Sequence, residues 1–219
     1  KPMTPPTAVL RAINAAVPTE LAIGDEMLTT GIDKRPRAGG AHIAVDGIAG
    51  DFIANARAHG GPDQAIYLYS AEDAAFWSAE LGIDCPPGFF GENFTIDRWW
   101  PEVRIGDRLT SGTLVLELTF PRVPCATLAA RVGDPRFVKR FAQEGRPGVY
   151  ARVLSPGDAA PGMALHVTPA PSDYPLATAL FRAWHDRAHH REAIRDALRA
   201  PLASRWRAAF EYVLEHPEA

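Results

Sequence analysis

At 219 residues, with 47% apolar and 22% charged side chains, the chain has the composition of a folded protein with one sizeable core, or one domain and a small appendage. A net charge of −3 and no basic stretch interleaved with aromatics argue against a nucleic-acid surface and for a small ligand. No apolar run approaches the roughly 20 residues that span a bilayer, no signal segment opens the chain, and its two cysteines form no Cys-x-x-Cys, so neither a structural zinc site nor a disulfide-stapled secreted domain is expected and a reducing, cytoplasmic location fits.

In chain order, Thr7 to Ile13 ("TAVLRAI") is the first run of strand formers. Ala65 to Ser70 ("AIYLYS") is the next, and Ser70 is placed to cap a helix over "AEDAAFWSAEL" that Gly82 ends. Arg108 to Phe120 reads as a hairpin turning at Ser111-Gly112. Leu114, Leu116, Leu118 and Phe120 fall on one face of its second strand and Val115, Glu117 and Thr119 on the other, the pattern of a half-buried antiparallel strand. Asp134 and Pro135 can start a helix over "RFVKRFAQE", stopped by Gly145. Val149 to Leu154 and Ala164 to Pro169 are further strands.

Beyond "PAPSDYP" the period becomes helical, with Leu176, Leu180 and Trp184, then His190, Ala193, Ile194 and Leu198, then Leu202, Trp206, Phe210 and Leu214, the last two groups parted by Pro201. The stripes read as packing faces rather than cofactor contacts. Many short strands with 20 prolines and 18 glycines predict a mainly β fold, a closed or nearly closed β-barrel with inserted helices over residues 1–170 and a small C-terminal three-helix module over 171–219.

Four segments carry polar chemistry. In "PRVPC", Pro121 and Pro124 end a strand and stiffen the following loop, which can hold Cys125 in one orientation with Arg122 favouring its thiolate. A buried, inert cysteine is the plain alternative. A Cys-His hydrolase would need a base, and of seven histidines only His59 sits in a motif-like context; a metal-bound thiolate needs none. "HGGPDQA" offers His59, a tight Gly60-Gly61 turn able to present amides to an anion, and Asp63. "FFGENFTI" places Glu92 and Asn93 between apolar neighbours, where each must find backbone or ligand partners. "TGIDKRP" contributes Lys34 and Arg35, equally explicable as a charged turn.

In this order and at these intervals, "AVDGIAGD", "HGGPDQAIYLY", "FGEN", "IGDRL" and "PRVPC" resemble the MOSC domain, the molybdenum cofactor sulfurase C-terminal domain family, especially its stand-alone bacterial YiiM-type members with a three-helix C-terminal module. The resemblance runs from about Thr30 to Glu215. It implies a pyruvate-kinase-barrel-like β-barrel whose pocket holds a pterin-dithiolene molybdenum cofactor, with Cys125 ligating the metal and Arg122 helping to neutralise the anionic cofactor. His59, Gly60, Gly61, Asp63, Glu92 and Asn93 would line the pocket, and Lys34 and Arg35 would stand near the phosphate. Phe94 stands where many relatives have leucine, which touches only the shape of the pocket.

The reaction implied is reduction of small N-hydroxylated compounds, with Cys125 holding the metal and His59 or Asp63 handling a proton. Two cysteines cannot hold an iron-sulfur cluster, and no Gly-x-Gly-x-x-Gly is present, so electrons would come from a separate reductase. The alternatives are a sulfur carrier using a Cys125 persulfide, weakened by the absence of the sulfurase's pyridoxal phosphate domain, and a non-catalytic carrier of the cofactor. Cys85 is expected to be dispensable.

Overall fold

A computed structural model describes residues 6–55 and 59–216. The first strand, β1 (Thr7–Ala15), is followed by the hairpin β2 (Thr19–Ile23) and β3 (Glu26–Thr30), and by the short β4 (Arg35–Pro36), β5 (Ala41–Ala44) and β6 (Gly47–Ile48). Then come β7 (Ile66–Ser70), β8 (Phe94–Ile96), β9 (Arg108–Ser111), β10 (Leu114–Pro121), β11 (Val149–Ser155), β12 (Gly157–Ala159) and β13 (Ala164–Thr168). Seven of them pair in the order β13-β9-β10-β11-β7-β8-β1, and β1 pairs back onto β13 to close a barrel. Closure removes the free edges that an open sheet would leave. β4 extends β1 at its far end, with Ala15 opposite Arg35, which brings Lys34 to the barrel rim.

All barrel pairings are antiparallel except β7 with β8, where Leu68 lies opposite Phe94. A parallel pair needs a crossover, and α1 (Ala71–Leu81) supplies it. Its ends carry the expected caps: Ser70 Oγ accepts from the Asp73 amide at 3.0 Å, and Gly82 adopts φ +65. The inserted helix is therefore what permits the one parallel step in the barrel.

The long hairpin forms as β9 and β10, but Ser111 pairs with Leu114, so the turn is Gly112-Thr113, one residue later than expected. The half-buried reading of β10 is corrected, because from Leu116 onward every residue of the strand is buried. Its second face is covered: Glu117 binds Arg108 and Arg152, and the Thr119 hydroxyl donates to the Asp63 carbonyl at 2.7 Å. A bulge also breaks the alternation, since Leu118 opposes Ala151 while Phe120 opposes Tyr150.

The strand ends at Pro121 and a short loop holds Cys125, as "PRVPC" predicts, but a helix that the sequence reading did not include follows at once. Cys125 is followed directly by α2 (Ala126–Val132), and its carbonyl accepts from the Leu128 and Ala129 amides. α3 (Phe137–Glu144) begins after Asp134 and ends at Gly145, φ +67. Three helices close the chain, α4 (Ala177–His185), α5 (Arg191–Ala197) and α6 (Ser204–Glu215). They pack into the barrel: Leu180, Ile194, Trp206 and Phe210 belong to one hydrophobic cluster with Leu10, Leu116 and Leu118, and Phe120 stacks on Trp206 at 4.2 Å. A second aromatic cluster, with Tyr69, Trp77, Phe90, Phe137 and Phe141, joins α1 and α3 to the outer face of β7. No helix among the described residues is long and apolar enough to cross a membrane.

Trp206 is buried in the shared core, so W206A should cost about 3–5 kcal/mol in urea denaturation. Barrel and helices should still unfold in one transition; two separated transitions would show that the tail stands apart.

Candidate active site

A cavity of about 320 Å³ opens at one end of the barrel. Its inner wall carries Cys125, His59, Tyr67, Tyr150, Arg122, Asn93 and Lys34, and its outer wall is apolar, with Ile23, Leu28, Phe52 and Ile53. The elements explain this placement. The end of β10 leads through Pro121 to Arg122 and Cys125, β7 and β11 contribute the two tyrosines, and the β2–β3 hairpin forms one lip.

Cys125 is half-buried, and its thiol ionises at about 6 rather than 9.0. Burial alone pushes it up, but a hydrogen bond from His59, the Arg122 charge and the Leu128 amide outweigh burial. The His59 Nδ1 lies 3.3 Å from the Tyr150 hydroxyl. The direction of that bond is set by the tautomer of the ring. Burial holds the Tyr150 phenol above its ordinary range, so it stays a protonated donor.

Arg122 is 3% exposed and remains a cation: burial disfavours the charge, but Tyr150, Tyr67 and Cys125 together favour it more. One of its terminal nitrogens donates to the Phe90 carbonyl, its guanidinium lies 5.0 Å from the Tyr67 ring centre, and its Nε has no partner. Lys34 is 7% exposed and paired with Asp51, with 2.6 Å to Oδ2. Burial lowers its pKa and Asp51 opposes that effect. Asp51 also accepts from the Ala16 amide and from Asn93 Nδ2, and Asn93 Oδ1 accepts from the Tyr67 amide. Lys34, Asp51 and Asn93 are thus one buried network along the cavity wall. The backbone there is tight, because a Cβ on Gly88, at φ +87, would stand 2.3 Å from the Lys34 carbonyl oxygen.

Of the residues expected from sequence, the fold brings together Cys125, Arg122, His59, Asn93 and Lys34. It does not bring Arg35, Gly60, Gly61, Asp63 or Glu92 to the cavity wall. Arg35 is 80% exposed and binds Asp33. Glu92 turns its carboxylate to the Gly88 and Phe90 amides and the Thr95 hydroxyl, so its partners are local. Asp63 faces α6, accepting from the Ser204 amide and hydroxyl at 2.8 and 2.6 Å and pairing with Arg152 at 3.1 Å, which removes it from the expected proton-handling role. Gly60 and Gly61 shape the turn ahead of it, Gly61 at φ +87. Cys85 lies apart from the cavity, its thiol pushed up by burial.

Tyr67, Tyr150 and Asp51 were missed by reading the sequence. The tyrosines sit in strands read only as structural, although polar rings at alternate strand positions are a signal, and Asp51 closes the "AVDGIAGD" segment without a distinguishing context.

Residues 55–166 match the MOSC domain family. YflK of Bacillus subtilis, an uncharacterised protein, is 32% identical over 201 residues, 91% of each chain. A Gibberella moniliformis protein named "Reductase" is 33% identical over 168 residues, covering 73% of this chain but 29% of that protein. The crystal structure of YiiM from Geobacillus stearothermophilus superposes with a TM-score of 0.77 at 26% identity, covering 95% of this chain and all of that one. The chain belongs to the MOSC domain family. Within it, fold and length are those of the YiiM type.

The folded thiol ionises near pH 6 and an unfolded one near 9.0, so its contribution to stability is complete above pH 9 and is lost as pH falls through 6. In a C85S protein, iodoacetamide should modify Cys125 with a midpoint near pH 6, and H59A should raise that midpoint. A midpoint near 9 in the C85S parent would refute the thiolate assignment.

Proposed function

We propose that the cavity holds a pterin-dithiolene molybdenum cofactor with Cys125 as the protein ligand, and that the protein reduces small N-hydroxylated compounds with electrons from a separate reductase. The observation that carries this reading is a thiolate at the cavity wall beside a buried, permanently charged arginine with an unpartnered Nε. The donor set fits: among the described residues no group of three or more His, Cys, Asp or Glu side chains is placed to hold a bare metal ion. A metal here would come with its own ligands and take one soft sulfur from the protein. Membership of the MOSC domain family and a relative named "Reductase" support the same reading.

In this scheme Cys125 would hold the metal, and Arg122, beside that sulfur and matched by no carboxylate, would offer positive charge to the anionic cofactor. Lys34 is already matched by Asp51 and would orient more than neutralise. The cofactor supplies two-electron chemistry at oxygen. Overall, the N–O bond of the N-hydroxy compound breaks, two electrons and two protons are taken up, and the oxygen leaves as water. His59 and Tyr150, joined at 3.3 Å on the cavity wall, are the groups that hold and deliver a proton to that oxygen. Ile23, Leu28 and Phe52 supply an apolar wall that limits water. The electron-donating group is proposed to lie outside residues 1–219, whose two cysteines are too few for an iron-sulfur cluster.

Protein made in a host competent for cofactor synthesis should contain about one molybdenum per chain, and C125S should lose it while keeping its fold. Unchanged metal in C125S would overturn the ligand assignment. Y150F should retain metal but reduce an amidoxime, with an artificial electron donor, about 10²-fold more slowly. The accessible low-pKa thiol also suits a sulfur carrier; a metal-free protein with a Cys125 persulfide would favour that reading, and a metal-loaded protein without turnover would favour a non-catalytic cofactor carrier.

A further inference from the structure

A second cavity, of about 440 Å³, shares no lining residue with the first. It lies between the end of α3, the first turn of α4 and the loop that carries Trp99 and Trp100. The segment around Pro147 separates the two: its carbonyl accepts from the Tyr67 hydroxyl at 2.9 Å, so Tyr67 lines the first cavity and Pro147 the second.

The wall of this cavity is fixed in advance. Trp99 donates its indole N–H to Asp73 at 2.8 Å and Trp100 donates to Asp107 at 2.8 Å, with the two rings edge to face at 5.7 Å. Arg146 donates to the other Asp73 oxygen at 2.6 Å and lies 4.2 Å over the Phe76 ring. Both oxygens of Asp73 are therefore occupied, and its charge is matched by Arg146. The loop is held as well, because the Arg104 amide donates to Asp107 and the Val103 carbonyl accepts from the Ala177 amide. Indoles locked this way lose little freedom when a ligand arrives.

What remains unmatched is negative. Glu102 on the rim pairs with Arg104 at 3.4 Å, whereas Glu144, exposed at the end of α3, makes no ion pair among the described residues. With Asp73 set against Arg146 and Glu102 against Arg104, the Glu144 charge is left over beside aromatic faces. Aromatic faces and a free carboxylate both attract a cation, and Val103 and Leu176 add apolar surface for its body.

We propose that this cavity is a second small-molecule site, one that takes an aromatic organic cation, an amine or amidine, with its ring against Trp99 and its charge at Glu144. The proposal stands on the walls of this cavity and is independent of what the first one holds.

The test is calorimetric titration of the full chain with 2-naphthylmethylamine, using the neutral 2-naphthylmethanol and the anionic 2-naphthoate as controls. The amine should bind with a Kd on the order of 10⁻⁴ M, and each control at least about tenfold more weakly. E144Q, at an exposed position, should weaken the amine roughly fivefold and leave the alcohol unchanged. T178R, on the exposed first turn of α4, sets a cation in the cavity and should weaken the amine more than about tenfold. L28W, at the lip of the first cavity, should bind like the parent. No amine binding at millimolar concentration, equal affinity for amine and alcohol, or an unchanged affinity in E144Q would overturn the proposal. Loss of binding in L28W would move the ligand to the first cavity, and a dimer on gel filtration that T178R disperses would assign this cavity to a second copy of the chain; either outcome also overturns it.

Discussion

The site depends on keeping one sulfur anionic inside the protein. Moving the thiol of Cys125 from 9.0 to about 6 corresponds to a preference for the thiolate on the order of 4 kcal/mol. Burial works against that preference, so donors and charge must more than offset it. His59 and Arg122 do so from different elements, one on the glycine turn before β7 and one at the end of β10. A barrel that joins these elements at one rim is therefore part of the chemistry, because neither strand end could hold the sulfur alone.

Charge along the wall is apportioned unequally. Lys34 and Asp51 neutralise each other, and Asn93 ties the pair to the backbone of β7. Removing either member would strand a buried charge, which is far more costly than the pair itself is stabilising. Arg122 differs: it faces tyrosines and the Cys125 thiolate rather than a carboxylate, and its Nε is unmatched. An anion entering the cavity meets that charge first in energetic terms, and the Lys34 network chiefly keeps the wall in shape.

The barrel, its main strands, two of its three inserted helices and the strand end before Cys125 were legible because each rests on local signals: alternation, Ser70 and Gly82 as caps, and prolines ending a strand. What failed was long-range. β10 looked half-exposed because nothing in its own sequence tells that the Pro62–Gln64 turn and the tail will cover its second face. Asp63 and Glu92 were acidic residues in suggestive motifs, yet one binds a helix start 141 positions away and the other its own loop. α2 went unread because its seven residues are short of two full apolar repeats and its N-cap, Cys125, makes no side-chain cap bond. Tyr150 was passed over because a tyrosine in a strand is usually packing; only its approach to His59 gives it another role.

The mouth of the cavity follows a different logic from its floor. β2 and β3 pair only with each other, so no barrel strand fixes their height. Ile23 and Leu28 turn to the cavity while Met27, next to them, is 62% exposed. Leu21 packs with the aromatic cluster that also contains Leu128 and Ala129 of α2, the helix that starts at Cys125. The lip is thus tied to the reactive sulfur through apolar packing rather than through backbone pairing. Such contacts are non-directional and tolerate sliding, whereas the hydrogen-bonded wall of Asp51, Asn93 and Tyr67 does not. The cavity accordingly combines a wall fixed by directional bonds with an apolar lip held by contacts that tolerate small displacements.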